Sequence, residues 1–446
     1  MKKNSKNSPV TILGVLFFVF GFITWLNSVL IPYLKIACEL SNLESYFVAF
    51  SFYISYLVMA LPSGWILQYT GYKKGMAAGL LVMAIGTMIF LPAAVERAFP
   101  LFLLGLFIQG SGLALLQTAS NPYITVLGPS ATAARRISIM GICNKMAGVL
   151  APIVLGAVTL RGVDELRVRI GEMDAFEKAI ELDSLARRVI LPYVIISVAL
   201  ILLAAWIYLS SLPEIGGSAS AGASASPARA RSASTGATPG ATPGAQRSAG
   251  IFKFPHLLLG VLAIFCYMGA EVIAGDTIIN YGLAQHIPLA TAKFFSSLTL
   301  GCMILGYVVG VIGIPRYFTH KTALKVSAVV GTVFVVACIV TSGVSSVLFI
   351  GLLGLANALM WPALWPMALN GLGRLTNLGS ALMIMGISGG AIFPLLYGRI
   401  AEVSGAKDAY WIVAAIYLYL LYYATWGHKV RSRSAWNNED THPIKS

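Results

Sequence analysis

Glu271 and Asp276 lie inside FCYMGAEVIAGDTIIN (265–280) and Lys145 inside MGICNKMAGV (140–149), two stretches otherwise apolar enough to cross a lipid bilayer. A charge at the centre of a membrane helix costs roughly 2.5–3.5 kcal/mol on insertion scales, so such groups face a wet cavity or one another and act on ions or solutes. Of the 17 Asp and Glu, the other 15 fall in loops, helix ends or tails. Two chemistries are open to this set. One carboxylate carries a proton or ligates Na⁺, or the acids form a structural ion pair with Lys145 that holds helices together. Asp276 and Asn280 share a helix face, whereas Glu271 lies about 140° around the axis from Asp276 at ~100° per residue.

Neutral polar residues form a second set. Asn27 ends GFITWLN, Gln117 and Asn121 are one turn apart in ALLQTASNPYIT, Asn144 adjoins Lys145, and Asn280 follows Asp276. Amides donate and accept, which suits the hydroxyls of a sugar better than an apolar drug or a lipid, although each is equally able to bond between helices. In MWPALWPM (360–367), Trp361 and Trp365 are one turn apart beside Pro362 and Pro366. Indole faces can stack on the apolar face of a pyranose, and the prolines interrupt a helix where a site would form. Packing or an interfacial belt is the alternative use of these tryptophans and of Trp25.

The elements that must position these groups follow from composition. The chain has 446 residues, 57% of them hydrophobic and 11% charged, a profile outside the range of soluble domains. Runs of about 20 apolar residues predict twelve transmembrane helices, at 10–34, 46–67, 73–95, 99–122, 137–160, 189–211, 254–283, 294–314, 322–342, 345–369, 377–401 and 409–427. No ten-residue alternation marks a membrane barrel, so the fold class is all-α membrane protein. The N-terminal apolar run continues to about Leu34 without a cleavage site and reads as the first span, not a removable leader.

Residues 214–250 are almost entirely Gly, Ala, Ser, Thr and Pro, a composition that buries no core and predicts a flexible cytoplasmic linker. It divides the chain into an N-terminal six-helix bundle (1–213) and a C-terminal bundle and tail (251–446). The bundles repeat one another. A shift of 248 residues lays FFVFG (17–21) on FCYMG (265–269) and YTGYKKG (69–75) on YFTHKTA (317–323); a shift of 245 lays 127–142 on 372–387. Parallel repeats imply a pseudo-twofold along the membrane normal and a midplane site between the halves, the architecture of alternating-access carriers. The basic turns at 71–74 and 316–321 occupy equivalent places, as positive-inside charge or as gating loops.

The net charge of +14 is topological, not a nucleic-acid footprint. With a cytoplasmic N-terminus, 19 of the 31 Lys and Arg fall inside and 11 outside, Lys145 being the remaining one. The five cysteines have unrelated spacings, which predicts neither metal site nor disulfide framework, and the five scattered histidines give no HExxH, GxSxG or P-loop signal, so no enzyme, metal or cofactor is expected.

FGFITWLNSVLIPYLK, LPSGWILQYTGYKKGM, LLQTASNPYITVLGP and FCYMGAE resemble the fucose/glucose-galactose cation symporter branch of the major facilitator superfamily, over essentially all twelve helices. The resemblance implies two pseudo-symmetric six-helix bundles, a monomer in the bacterial inner membrane with both termini cytoplasmic, and import of a glucose/galactose-like or fucose-like monosaccharide coupled to H⁺ or Na⁺. The alternatives are a proton-driven exporter of the same fold, for which GICNKMAGVLAPIVLG (141–156) lacks the Gly-Pro and Gly-Gly pairs, and a non-transporting sugar sensor. The family pattern has an Asn-Asp pair where this chain has Asn27-Ser28, and its proton-linked fucose carriers have Glu where Gln117 stands, while glucose-galactose members often have Gln. Asn144 matches a sugar-binding Asn of the fucose type, and Lys145 stands where many relatives have a small residue. Both familiar proton-handling acids are therefore absent, which leaves Glu271 and Asp276 to couple from the second half, or Lys145 to supply a fixed charge in place of the cation.

Overall fold

A computed structural model describes residues 9–126, 133–170, 172–210, 212, 254–313, 317–372 and 375–430; the 214–250 linker lies outside the described residues. Eleven segments are long and apolar enough to cross a membrane. One of them, Phe47–Val95, has 49 residues, and at 1.5 Å per residue would run about 74 Å, more than twice the ~30 Å of hydrocarbon. It is not one rod. Gly71 breaks it with φ 75° and ψ 170°, a left-handed excursion that a residue without Cβ makes at little cost, and the Leu67 side chain comes back against Gly75. The twelve expected spans are thus present: α1 (Pro9–Ala37), α2 (47–70), α3 (72–95), α4 (Phe99–Val126), α5 (Ala133–Thr159), α6 (Ile190–Leu209), α7 (Pro255–Ala284), α8 (Phe295–Gly313), α9 (His320–Val340), α10 (Gly343–Leu369), α11 (376–404) and α12 (Trp411–Thr425).

The repeat read from the sequence is visible in the packing. In the first half α1 packs on α5, α4 on α2 and α3, and α3 on α6; in the second half α7 packs on α11, α10 on α8 and α9, and α9 on α12. Gly21 and Gly269, aligned by the 248-residue shift, sit at equivalent crossings. A methyl on Gly21 would strike the Asn144 backbone of α5, and one on Gly269 would strike the Phe393 ring of α11. Glycine lets two helices approach where no side chain fits between them.

Four helices depart from regular α geometry near their middles. α1 breaks at Leu26, α7 widens into a π turn at Ile273–Thr277, α10 breaks at Leu359 and α11 tightens into a 3₁₀ turn at Gly386–Ser388. The 248-residue shift places residues 25–27 on 273–275, so the first two interruptions are counterparts. The break in α10 follows from Pro362, which removes the amide that would bond to the carbonyl four residues earlier. π turns absorb an extra residue and cluster at functional sites. Here the turn changes the rotation between Glu271 and Asp276 from that of a regular α-helix.

Gly389 faces the Phe265 carbonyl with no room for a Cβ, whereas Gly64 has nothing within 4 Å of that position. Gly389→Ala is expected to cost about 1–3 kcal/mol and to lower the thermal midpoint of the detergent-solubilised protein. Gly64→Ala is expected to leave it unchanged or slightly raised, because alanine favours the helix.

Candidate functional site

The three charges singled out by the sequence converge where the two halves meet. The Lys145 ammonium on α5 donates to Glu271 Oε1 on α7 at 2.5 Å, and the two residues are 7% and 4% exposed. The ammonium also lies over the Trp25 indole of α1, 4.4 Å from the ring centroid. Trp25 is buried between α5 and α7, where a methyl on Gly148 or Gly275 would run into its ring. Lys145 could have paired with either acid; the structure assigns Glu271. Asp276, in the π turn, is 0% exposed, and neither carboxylate oxygen has a hydrogen-bond partner among the described residues.

A buried ion pair separates sharply into the cost of making it and the cost of breaking it. Removing one partner strands a charge at about 3–5 kcal/mol, whereas replacing both by apolar groups is often neutral or stabilising. Lys145–Glu271 joins the two halves, so the stranding cost falls on their relative motion.

Several of the polar and aromatic residues lie around this centre. Asn27 is buried just past the α1 break, its amide nitrogen without a partner among the described residues. Gln117 donates to the Tyr56 hydroxyl at 2.9 Å, Tyr56 stacks on Tyr53 at 6.4 Å, and Tyr53 lies within electrostatic reach of Asp276 and Glu271. Asn121 and Asn144 are half-buried. Asn280 is buried on the turn after Asp276, beside Tyr46. Trp361 and Trp365 stack at 5.2 Å, and Trp361 approaches Tyr267 at 6.4 Å. Tyr267 is in turn beside Glu271, one helical turn along. Tyr53, Tyr56, Tyr267 and Asn357, whose side-chain oxygen accepts from the Tyr417 hydroxyl at 2.8 Å, are site-forming residues that the sequence did not single out. Only Tyr267 carried a signal, its four-residue spacing from Glu271. Among the described residues no group of three or more His, Cys, Asp or Glu could hold a metal.

The halves are closed on the face away from the chain termini. Asp164, after α5, accepts from the backbone amides of Leu289 (3.0 Å) and Ala290 (2.8 Å), the first turn of the short helix Leu289–Ala292 of the other half. Glu402, at the end of α11, accepts from the Leu43 amide at 2.8 Å in the first turn of the short helix Asn42–Ser45. The two short helices occupy equivalent places in the repeat, and first-turn amides have no partner within their own helix. Ser41 and Glu44 complete a capping box on the second of these helices. The Ser41 backbone amide and hydroxyl hold the exposed Glu44 carboxyl below its ordinary range. Tyr46 meets Tyr397 edge-on at 5.8 Å nearby.

Lys145→Met or Glu271→Leu alone should destabilise the detergent-solubilised protein by about 3–5 kcal/mol, and the double substitution should recover most of the loss; thermal unfolding of the four proteins measures it. At the far face, Asp164→Asn with Glu402→Gln removes charge-assisted bonds of about 1 kcal/mol or more each. Maleimide labelling of a cysteine placed at buried Ser45 should then rise roughly tenfold or more.

The chain matches the Major Facilitator Superfamily over residues 13–394. It is 30% identical to a glucose/galactose transporter of Brucella abortus over 94% of each chain. It is 28% identical to the L-fucose-proton symporter of Escherichia coli over 89% of this chain and 87% of that one. In three dimensions it superposes on the crystal structure of the E. coli fucose:proton symporter with a TM-score of 0.70 at 24% identity, covering 94% of this chain and 98% of the other. A D-xylose-proton symporter structure superposes with a TM-score of 0.67 at 15% identity, covering 96% and 98%. Family, helix count and bundle packing agree: the chain belongs to the Major Facilitator Superfamily and is a multi-pass membrane transporter, not an enzyme.

Proposed function

We propose that this protein imports a hexose or related monosaccharide, glucose/galactose-like or fucose-like, by cation-coupled alternating access. The observation that carries the reading is a single cluster at the interface of the halves: an ion pair crossing it, an acid beside it with no hydrogen-bond partner among the described residues, and amides and indoles nearby. The names of the relatives, glucose/galactose transporter and L-fucose-proton symporter, support the substrate class.

In this reading Asn27, Gln117, Asn121, Asn144 and Asn280 offer donors and acceptors to sugar hydroxyls, and Trp361 and Trp365 stack on the ring. Glu271, Asp276 and Lys145 couple sugar movement to H⁺ or Na⁺. An ionised carboxylate without hydrogen bonds is costly in an apolar surround and a neutral acid is far less so, which supports Asp276 as one of the two acids that take up a cation. The excess of basic residues on the terminal face, 19 against 11, supports cytoplasmic termini in a bacterial inner membrane. The closed far face is then periplasmic. The transporter acts as a monomer, each chain holding a complete interface between its halves.

Uptake of labelled glucose, galactose, mannose, fucose and N-acetylglucosamine into proteoliposomes, at several pH values with and without Na⁺, identifies sugar and ion. Asp276→Asn is expected to abolish accumulation against a gradient and to leave counterflow exchange intact; unchanged uphill uptake would remove Asp276 from the mechanism.

A further inference from the structure

Trp25 does more in this arrangement than fill space. Its ring face meets the Lys145 ammonium, its edges fill the gaps left by Gly148 and Gly275, and its indole N–H makes no hydrogen bond to any of the described residues. Trp25 and Lys145 belong to the same half, on helices α1 and α5 that cross at Gly21 with backbone against backbone. Glu271 belongs to the other half. When the far face opens, α7 moves relative to α1 and α5 together, so the bond between Lys145 and Glu271 is the one that stretches.

Two buried charges then need new company. An ammonium over a desolvated indole keeps a substantial part of its stabilisation, so Lys145 retains a partner that travels with it. Among the described residues Glu271 retains none of opposite charge. The charged and titratable groups facing it from all packed elements are Lys145 on α5, Asp276 and Tyr267 on α7, Tyr53 on α2, Tyr307 on α8 and Tyr417 on α12. Lys145 is the sole cation among them.

We infer that Trp25 is a positioning residue for coupling: its indole face holds the Lys145 ammonium on the N-terminal half when the halves separate, so that Glu271 is left to take a proton. The inference rests on the transport reading above. The step is balanced: a Glu271 carboxylate oxygen forms an O–H bond with a proton drawn from water on the open side as the bond from the Lys145 ammonium breaks, and Lys145 keeps all its own protons. Without the indole face the ammonium follows Glu271, and the proton must compete against it.

The test reads opening without any sugar. In a chain whose five native cysteines (38, 143, 266, 302 and 338) are replaced, Ser45→Cys reports far-face opening by maleimide labelling in proteoliposomes as a function of pH. Trp25→Leu is expected to move the labelling midpoint to lower pH by roughly half a unit to one and a half units. Trp25→Phe, which keeps an aromatic face, is expected to move it less. In the Lys145→Gln background, which keeps Glu271 as the group that takes the proton, Trp25→Leu is expected to cause no further displacement, since there is no ammonium to hold. An equal displacement in both backgrounds would make Trp25 a packing residue only, and no displacement in either would likewise overturn the inference. Counterflow of labelled galactose in the same vesicles reports the sugar reading separately, so either can fail alone.

Discussion

An ammonium and a carboxylate meet across the seam of two helical bundles in a region where lipid solvates neither, and the middle of the molecule is arranged around that contact. Lys145 and Glu271 satisfy one another only while their halves are together. Gly148 and Gly275 leave room for the Trp25 ring, and the ring lies under the ammonium. Two of the helix interruptions fall where these parts meet, at the break in α1 and the π turn in α7. Interrupted helices inside a membrane are tolerated where protein, not lipid, surrounds them.

The same logic of shared satisfaction recurs at the far face in milder form. Asp164 and Glu402 each reach from one half to first-turn amides of the other, in a near-symmetric exchange. Such contacts form and break at modest cost beside water, whereas the central pair, once formed in a dry setting, is expensive to separate. The outer contacts therefore hold the closed face lightly, and the central pair is the costlier of the two sets to separate.

Much of this was legible in the residues. Lipid demands spans of about 20 apolar residues, so the twelve helices and the unusual standing of Glu271, Asp276 and Lys145 were plain from composition and position. The repeat was readable because short in-register matches such as FFVFG and FCYMG survive, and they align Gly21 with Gly269, each of which sits where a Cβ would strike a crossing helix. What could not be read was rotation between helices. Whether Lys145 meets Glu271 or Asp276 depends on how α5 faces α7 and on a π turn that no residue type announces. Tyr53, Tyr56 and Tyr267 were hidden for a related reason, since tyrosine in a membrane helix equally suits a belt at the headgroups. Asp164 and Glu402 looked like solvated loop charges because their partners are backbone amides, which carry no sequence signature.

The glycine crossings of α1 on α5 and of α7 on α11 have a mechanical consequence. Where main chain abuts main chain there is no layer of rotatable side chains to deform, so each six-helix block is stiff against internal shear. Compliance is left to the seams where α2 meets α11 and α5 meets α8, which are lined by interdigitated side chains and carry few polar bonds, such as that from the Ser297 hydroxyl to the Val149 carbonyl. Substitutions that soften a block would dissipate relative motion of the halves inside it, and substitutions at the seams would alter how far that motion carries.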